Sequence, residues 1–510
     1  MPRLPRQIPG RSVLIAVVLM ASYAYFYEGG GWNQNVRFDL VRAIIERHTL
    51  RIDVYHDNTG DKAEFNGHVY ADKAPGASFT AVPAVAAARG TLRAFGVDVY
   101  APSTLGTLSY VATVGAAALP AALAALAVFW TSRRLGFDAT AAGIAAVVCG
   151  LGTPLWAYAT LLYGHALAAG CLTAAFFGAT TLRGRGEAWR SAISRGWWIG
   201  LAAGWAVVTE FPAAPPAALI VAFAAIQART WERKLQRRLW LALVLGGAAG
   251  AIVLLTYNAL AFGSPLHLGY SSETAGYEGM HHGIFGVTWP DPRVAVELLV
   301  GRYRGLLPLA PVLLAAPVGL WMLIRASTRR SAGLVASAIA VYYVLMTSGY
   351  AYWDGGWSYG SRHLGPALPF LSLGIAPVWQ RARPWARTIV LALAIVSVGE
   401  SLVAVSTTPQ PPGISPRDPM REWLWPAFVS GDFPIGWQSV LEYRAPGVPM
   451  SELERRGVPR ASWNVGQRLF GLQGHASLLP LAAVWLLGFA AWVRIGRRAD
   501  EQAPPESTHV

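Results

Sequence analysis

The stretch Asn66-Gly67-His68-Val69-Tyr70-Ala71-Asp72-Lys73-Ala74-Pro75-Gly76 is polar in a chain whose residues are 54% hydrophobic. A Tyr, an Asp and a Lys beside a Pro-Gly turn can present a fixed cation next to a carboxylate. Lys73 there can grip a phosphate as a point charge, or merely neutralise Asp72 or a lipid headgroup. A second polar patch, Asp53 to Lys62, lies just upstream in the same loop. That loop gathers Asp39, Glu46, Asp53, Asp57, Asp61, Glu64 and Asp72. A carboxylate whose pKa is tuned by burial and neighbours can deprotonate a hydroxyl, whereas most loop carboxylates are only solvated. Asp57 to Asp61 lacks the ligand spacing and distal Glu of a calcium loop, and no zinc spacing occurs, so no metal and no cofactor are expected.

Further along, Trp353-Asp354-Gly355-Gly356-Trp357-Ser358-Tyr359-Gly360-Ser361-Arg362-His363 joins a glycine pair, which permits close backbone approach, to an Arg able to bind phosphate through two donors. Trp353 and its aromatic neighbours suit sugar rings or a membrane interface. Arg302 and Arg304, in Gly301-Arg302-Tyr303-Arg304-Gly305, are further candidate phosphate ligands or simple flanks of the next span. His165 and Glu210 stand at the ends of apolar spans, where ionisable groups usually face a cavity and a partner; a structural hydrogen bond is the plainer role. Tyr70, Asp72, His165, Glu210, Trp353 and His363 are thus the candidate pocket residues. No phosphate-binding Gly-Lys loop, dinucleotide Gly loop, nucleophilic Ser elbow or paired-His zinc helix appears in a credible context.

The elements that must position these groups are membrane spans. In 510 residues only 14% are charged, against about 25% in soluble domains, and mean hydropathy is +0.37. Apolar runs approaching the roughly 20 residues that cross a bilayer recur along the chain. The net charge of +14 does not call for nucleic acid, because Lys and Arg cluster in short loops and termini on one side, as at Arg133-Arg134, Arg229 to Arg238 and Arg381 to Arg387. Cys149 and Cys171 lie within apolar runs as small hydrophobes. The run Ser12–Tyr27 follows basic residues without a clear cleavage site; it reads as an uncleaved first span, with Tyr23, Tyr25, Phe26 and Tyr27 as an interface belt.

The fold expected is an all-α polytopic membrane protein of about 12 transmembrane helices. Residues 1–27 form the first, 28–102 an outer loop with amphipathic helices, 103–408 the bundle, 409–476 a second long outer loop, 477–498 the last helix and 499–510 a disordered tail. Val36–His48 and Thr80–Phe95 are the loop helices expected to lie along the membrane surface. In the first, Phe38, Val41, Ile44 and Ile45 share one face, with Asp39, Arg42 and Glu46 on the other. Both termini then fall in the cytoplasm of an inner (plasma) membrane protein, and the polar loops fall outside.

The order of these pieces resembles the GT-C class of integral-membrane glycosyltransferases, in particular the branch like protein O-mannosyltransferases and lipid A aminoarabinose transferases. Tyr70 to Gly76 is similar to the Tyr/Phe-x-Lys-Pro-like element that ends the family's long first loop, and Trp353 to Arg362 looks like a later outer loop of bacterial relatives. The resemblance implies transfer of a sugar from a polyprenyl-phosphate donor at the outer face, with Lys73 on the donor phosphate. The family carries its acid at the start of the first surface helix, where this chain has Trp32-Asn33-Gln34-Asn35. Asp39, Asp53 or Asp61 would then be the general base, and Lys73, Arg362, Arg302 and Arg304 would hold the phosphate. The partners implied are the lipid-linked donor, membrane lipids and an acceptor that the sequence leaves unnamed. A flippase of lipid-linked sugars and a non-catalytic scaffold are the alternatives.

Overall fold

The computed structural model describes residues 8–182, 189–274, 276–413, 417–434 and 462–501. Among them, five helices are long and apolar enough to cross a bilayer: Pro102–Arg134, Arg233–Phe262, Arg330–Ser348, Pro384–Thr407 and Gly474–Arg497. Shorter apolar helices, including Gly10–Ala24, Ala139–Leu151 and Gly164–Thr180, stand with them. The expected helical membrane architecture is present, and a total of about 12 crossings, which needs the shorter helices, stays a proposal. The tail from residue 502 and, within the 409–476 loop, residues 414–416 and 435–461 lie outside the described residues.

Small residues set the closest helix contact. Helix Trp189–Thr209 packs on Arg233–Phe262 backbone to backbone. A Cβ added at Gly200 would strike the Leu243 carbonyl, and one at Gly246 would strike that of Trp197. Lipid tails are as apolar as Leu, so such close approach, rather than the hydrophobic effect, is what draws membrane helices together. The first helix of the pair ends at Thr209, immediately before Glu210.

Two expectations about the first loop change. The first helix is Ile8–Ala24, and the aromatic run after it is not an interface belt. Phe26–Glu28 forms a strand paired antiparallel with Ser462–Asn464, and Tyr25, Phe26 and Tyr27 are buried. The helix expected at Val36–His48 runs from Trp32 to Arg47, and its polar side does not face solvent. The segment from Ile52 to Asp61 covers it: Asn35 donates to the Asn58 carbonyl at 2.9 Å, and Asn58 donates to Asp39 at 3.2 Å. The second loop helix is Gly76–Ala94.

Asn66-Gly67 makes the tight turn of a hairpin between Lys62–Phe65 and His68–Ala71. Both turn residues have positive φ, 51° and 76°, which the Asn-Gly pair accepts with little strain and which matches the strand twist. Backbone bonds then gather the loops on one face. Thr274 donates to Lys62 at 3.0 Å, Ala351 to Gly286 at 2.9 Å and Tyr359 to Pro409 at 2.9 Å.

Candidate active site

The hairpin ends at Ala71, so Asp72 and Lys73 follow directly from a hydrogen-bonded strand rather than from a free loop. Two glycines let other elements close on them. Gly269 lies against the Asp72 backbone, where a Cβ would come within 2.8 Å of its carbonyl; at Gly76 a Cβ would lie 2.7 Å from Cα of Thr209. The second contact seats the Lys73 turn beside the end of helix Trp189–Thr209.

Lys73 Nζ lies 2.7 Å from Asp72 Oδ2 and 3.4 Å from Asp61 Oδ2, with Tyr270 and Tyr277 rings 5.7 Å away on either count. The Tyr277 hydroxyl donates to the other Asp61 oxygen at 2.9 Å. Burial by itself would lower the Lys73 pKa, but Asp61 and Asp72 raise it above the ordinary value, so the ammonium stays charged. Burial likewise works to raise Asp61; Lys73 and Arg362 overcome it and hold that carboxyl below its usual range. Asp72 goes the other way, pushed up to about 6 by burial and the neighbouring Asp61 charge against the pull of Lys73. Two carboxylates share one ammonium.

Lys73, Asp72, Tyr270 and Tyr277 open onto a cavity of about 250 Å³. Its cations are Lys73, Arg37 and Arg362; its carboxylates are Asp72, Glu210, Glu273 and Asp354. Tyr270, Tyr277, Tyr350, Tyr352 and Trp357 supply aromatic wall, and His165 and His363 also line it. The Arg362 guanidinium stacks over the Tyr163 ring at 5.1 Å, and its Nε, fully buried, has no hydrogen-bond partner. His363 is kept neutral: burial and then Arg362 lower its pKa to about 3.

The cavity sorts the residues proposed from sequence. Lys73, Arg362, Asp72, His165, Glu210 and His363 all line it. Asp39, Asp53 and Asp61 do not. Asp39 is fully buried beneath Asn58. Asp53 stands at the surface, accepting from Val69 N at 2.7 Å and touching His68. Asp61 sits behind Lys73. Arg304 meets protein rather than cavity: it is buried, donates to the carbonyls of Ser358 and, at 2.6 Å, Gly356, and so holds the glycine-rich loop in place. Arg302 is exposed beyond that loop. Tyr70 packs on Phe262 at 5.3 Å, and Trp353 on Tyr303 at 6.2 Å, both outside the cavity wall.

Sequence reasoning passed over Arg37, Glu273, Tyr270 and Tyr277. Arg37 was hidden because helical spacing puts it on the apolar side with Val41 and Ile44, where no polar pattern marked it. The tyrosines come from a loop some 200 residues away from Lys73 in sequence, where no local spacing could tie them to it.

No family model matches the chain, and no curated protein matches it. Among solved structures, ArnT from Cupriavidus metallidurans bound to undecaprenyl phosphate is similar at a TM-score of 0.50 and 18% identity, over 97% of this chain and 80% of that one. The Archaeoglobus fulgidus oligosaccharyltransferase in its apo form is similar at 0.51 and 14%, over 86% of this chain and 60% of that one. Apo ArnT gives 0.47 and 16%, over 75% of this chain and 61% of that one. The chain therefore spans about three fifths of the oligosaccharyltransferase and of apo ArnT. At these identities the likeness is one of fold: the chain shares the fold of ArnT and of the oligosaccharyltransferase.

Proposed function

We propose that this chain is a glycosyltransferase that moves a sugar from a polyprenyl-phosphate donor to an acceptor hydroxyl at the outer face of an inner membrane, both termini being cytoplasmic. The observation that carries the reading is the position of Lys73. It is a largely buried ammonium, favoured in its charged form by Asp61 and Asp72, at the wall of a cavity that also receives Arg362. ArnT, similar in fold, was solved with undecaprenyl phosphate bound, and a polyprenyl phosphate is the leaving group this reaction requires.

The transfer is an inverting displacement without a covalent intermediate. The acceptor oxygen attacks the anomeric carbon, the bond from that carbon to the phosphate oxygen breaks, and the electron pair leaves with the lipid phosphate. Lys73 and Arg362 neutralise the charge that grows on the phosphate, a role in which fixed cations in a water-poor site are most effective. Asp61 and Asp72 keep Lys73 charged and placed before the donor arrives. Phosphate entry competes with them for the ammonium, and the carboxylate pair takes up a proton more readily as that charge is shared. A carboxylate of the cavity wall accepts the acceptor's proton.

The non-catalytic alternative rests on Asn33-Gln34-Asn35, amides at the start of the first-loop helix. One assay separates the readings. Purified protein is given a panel of undecaprenyl-phosphate hexoses and pentoses together with a membrane extract as acceptor. The enzyme reading expects release of undecaprenyl phosphate that Lys73→Ala abolishes. No release from any donor, or release that Lys73→Ala leaves unchanged, counts against it.

A further inference from the structure

We propose that Glu210 is the general base of the transfer, the acid having moved from the first-loop helix to the end of helix Trp189–Thr209; this rests on the glycosyltransferase reading above. The base must reach the acceptor hydroxyl from within the cavity, which removes Asp39, Asp53 and Asp61. Four carboxylates line the wall among the described residues. Asp72 is 2.7 Å from Lys73 and 1% exposed, committed to the cation that the proposed reaction assigns to the phosphate. Glu273 accepts from the Tyr277 backbone at 3.1 Å and Asp354 from the Tyr303 hydroxyl at 3.2 Å, so both organise their own loops.

Glu210 is placed differently. Its Oε1 lies 3.4 Å from Arg37 Nη2 and 3.7 Å from His165 Nδ1, close enough to be oriented and too far to be locked. Gly164 makes room for it, since a Cβ there would collide with Oε1. Arg37 joins Glu210 to the helix start: its Nη1 donates to Asn33 Oδ1 at 2.5 Å while its Nη2 faces the carboxylate. Asn33 lines the same wall. An amide cannot take a proton from an alcohol; the carboxylate on the other arm of the same guanidinium can. In the reaction, the acceptor oxygen bonds to the anomeric carbon, its proton passes to Glu210, and the lipid phosphate departs toward Lys73. Glu210 then releases the proton to water in the cavity. Arg37 is a positioning residue.

The test pairs two measurements on the detergent-purified full chain: transfer, read as undecaprenyl phosphate released from the donor panel, and binding of undecaprenyl phosphate alone. Glu210→Gln should lower transfer by about 10²- to 10⁴-fold, the range for loss of a positioned base, with binding close to that of the unmodified protein. Glu210→Asp, which keeps the acid but shortens it, should recover part of the rate. Gly164→Ala displaces Oε1 without removing a charge, and should lower transfer with binding retained. Transfer by Glu210→Gln near the unmodified rate overturns the assignment. So does equal loss of binding and transfer in both Glu210→Gln and Gly164→Ala, which would make Glu210 a structural group. If the unmodified protein itself releases no undecaprenyl phosphate, the glycosyltransferase reading fails first, a result distinguishable from either of these.

Discussion

Asp39 and the Asp61–Asp72 pair belong to one loop and are all buried, yet they differ in what stands beside them. Asp39 faces the amide of Asn58, and its second oxygen has no hydrogen-bond partner. Burial dominates there, little offset by Arg42, and pushes its pKa up to about 8. Asp61 and Asp72 are as deeply set but face Lys73, which holds the first below its usual range and limits the rise of the second. Taking a carboxylate out of water costs several kcal/mol unless a counter-charge repays it. A buried acid without a cation is therefore a neutral structural group at moderate pH, whereas one with a cation is part of an electrostatic machine. The same contrast separates the arginines. Arg304 spends its guanidinium on backbone carbonyls, while Arg362 turns toward the cavity.

Breaking the paired side of this comparison should have the largest effect. Lys73→Ala leaves Asp61 and Asp72 facing each other without a cation. We expect transfer to fall by at least about 10²-fold and folding stability by about 3–5 kcal/mol, the second read from unfolding in detergent. Lys73→Arg should restore much of the stability.

The arginine pair comes next. Arg304→Ala removes two charge-assisted hydrogen bonds to the glycine-rich loop and should cost about 3 kcal/mol, seen as a lower unfolding midpoint. Arg362→Ala should cost less stability and weaken undecaprenyl phosphate binding more. If Arg304→Ala proved the more damaging to binding and the less damaging to stability, the two roles would be exchanged.

Asp39 gives a pH test. Its folded pKa lies above the ordinary carboxyl value, so the protonated form fits the fold, and the contribution is fully present below about pH 4. It is lost as pH rises through about 8. The unmodified protein should thus lose stability across that window, by a few kcal/mol as an order of magnitude. Asp39→Asn should flatten the slope and change transfer by less than about 2-fold, since one amide in place of a neutral carboxyl alters little at the cavity. An unchanged slope would mean that Asp39 is ionised in the fold. The smallest effect belongs to Asp53→Asn, at the surface, with about 1 kcal/mol or less of stability and no change in transfer.

Much of the site was legible in the sequence because its chemistry is concentrated. Lys73 and Asp72 stood out in a polar stretch, Arg362 and His363 in a glycine-rich one, and His165 and Glu210 as ionisable groups at span ends. The apolar, mostly helical character was equally legible, since long apolar runs have few other fates, whereas the expected total of about 12 crossings stays a proposal. Burial in the first loop was not. The helical period correctly put Asp39, Arg42 and Glu46 on a polar side, but period alone does not say whether water or another segment meets that side; here Asn35 and Asn58 close over it. The amides that looked like a departure from a family pattern turn out to be that closure at Asn35 and, at Asn33, part of the cavity wall. Asn66-Gly67 is a hairpin signal that the loop reading passed over, and the hairpin it makes leads straight into Asp72 and Lys73.

Binding of undecaprenyl phosphate to the purified chain, compared between the unmodified protein and Lys73→Ala in the same lipid or detergent, tests the account most directly. The account expects saturable binding that weakens at least about 10-fold in the variant, as loss of a buried cation on a phosphate requires. Equal affinity in the two proteins, with the variant folded, would contradict it.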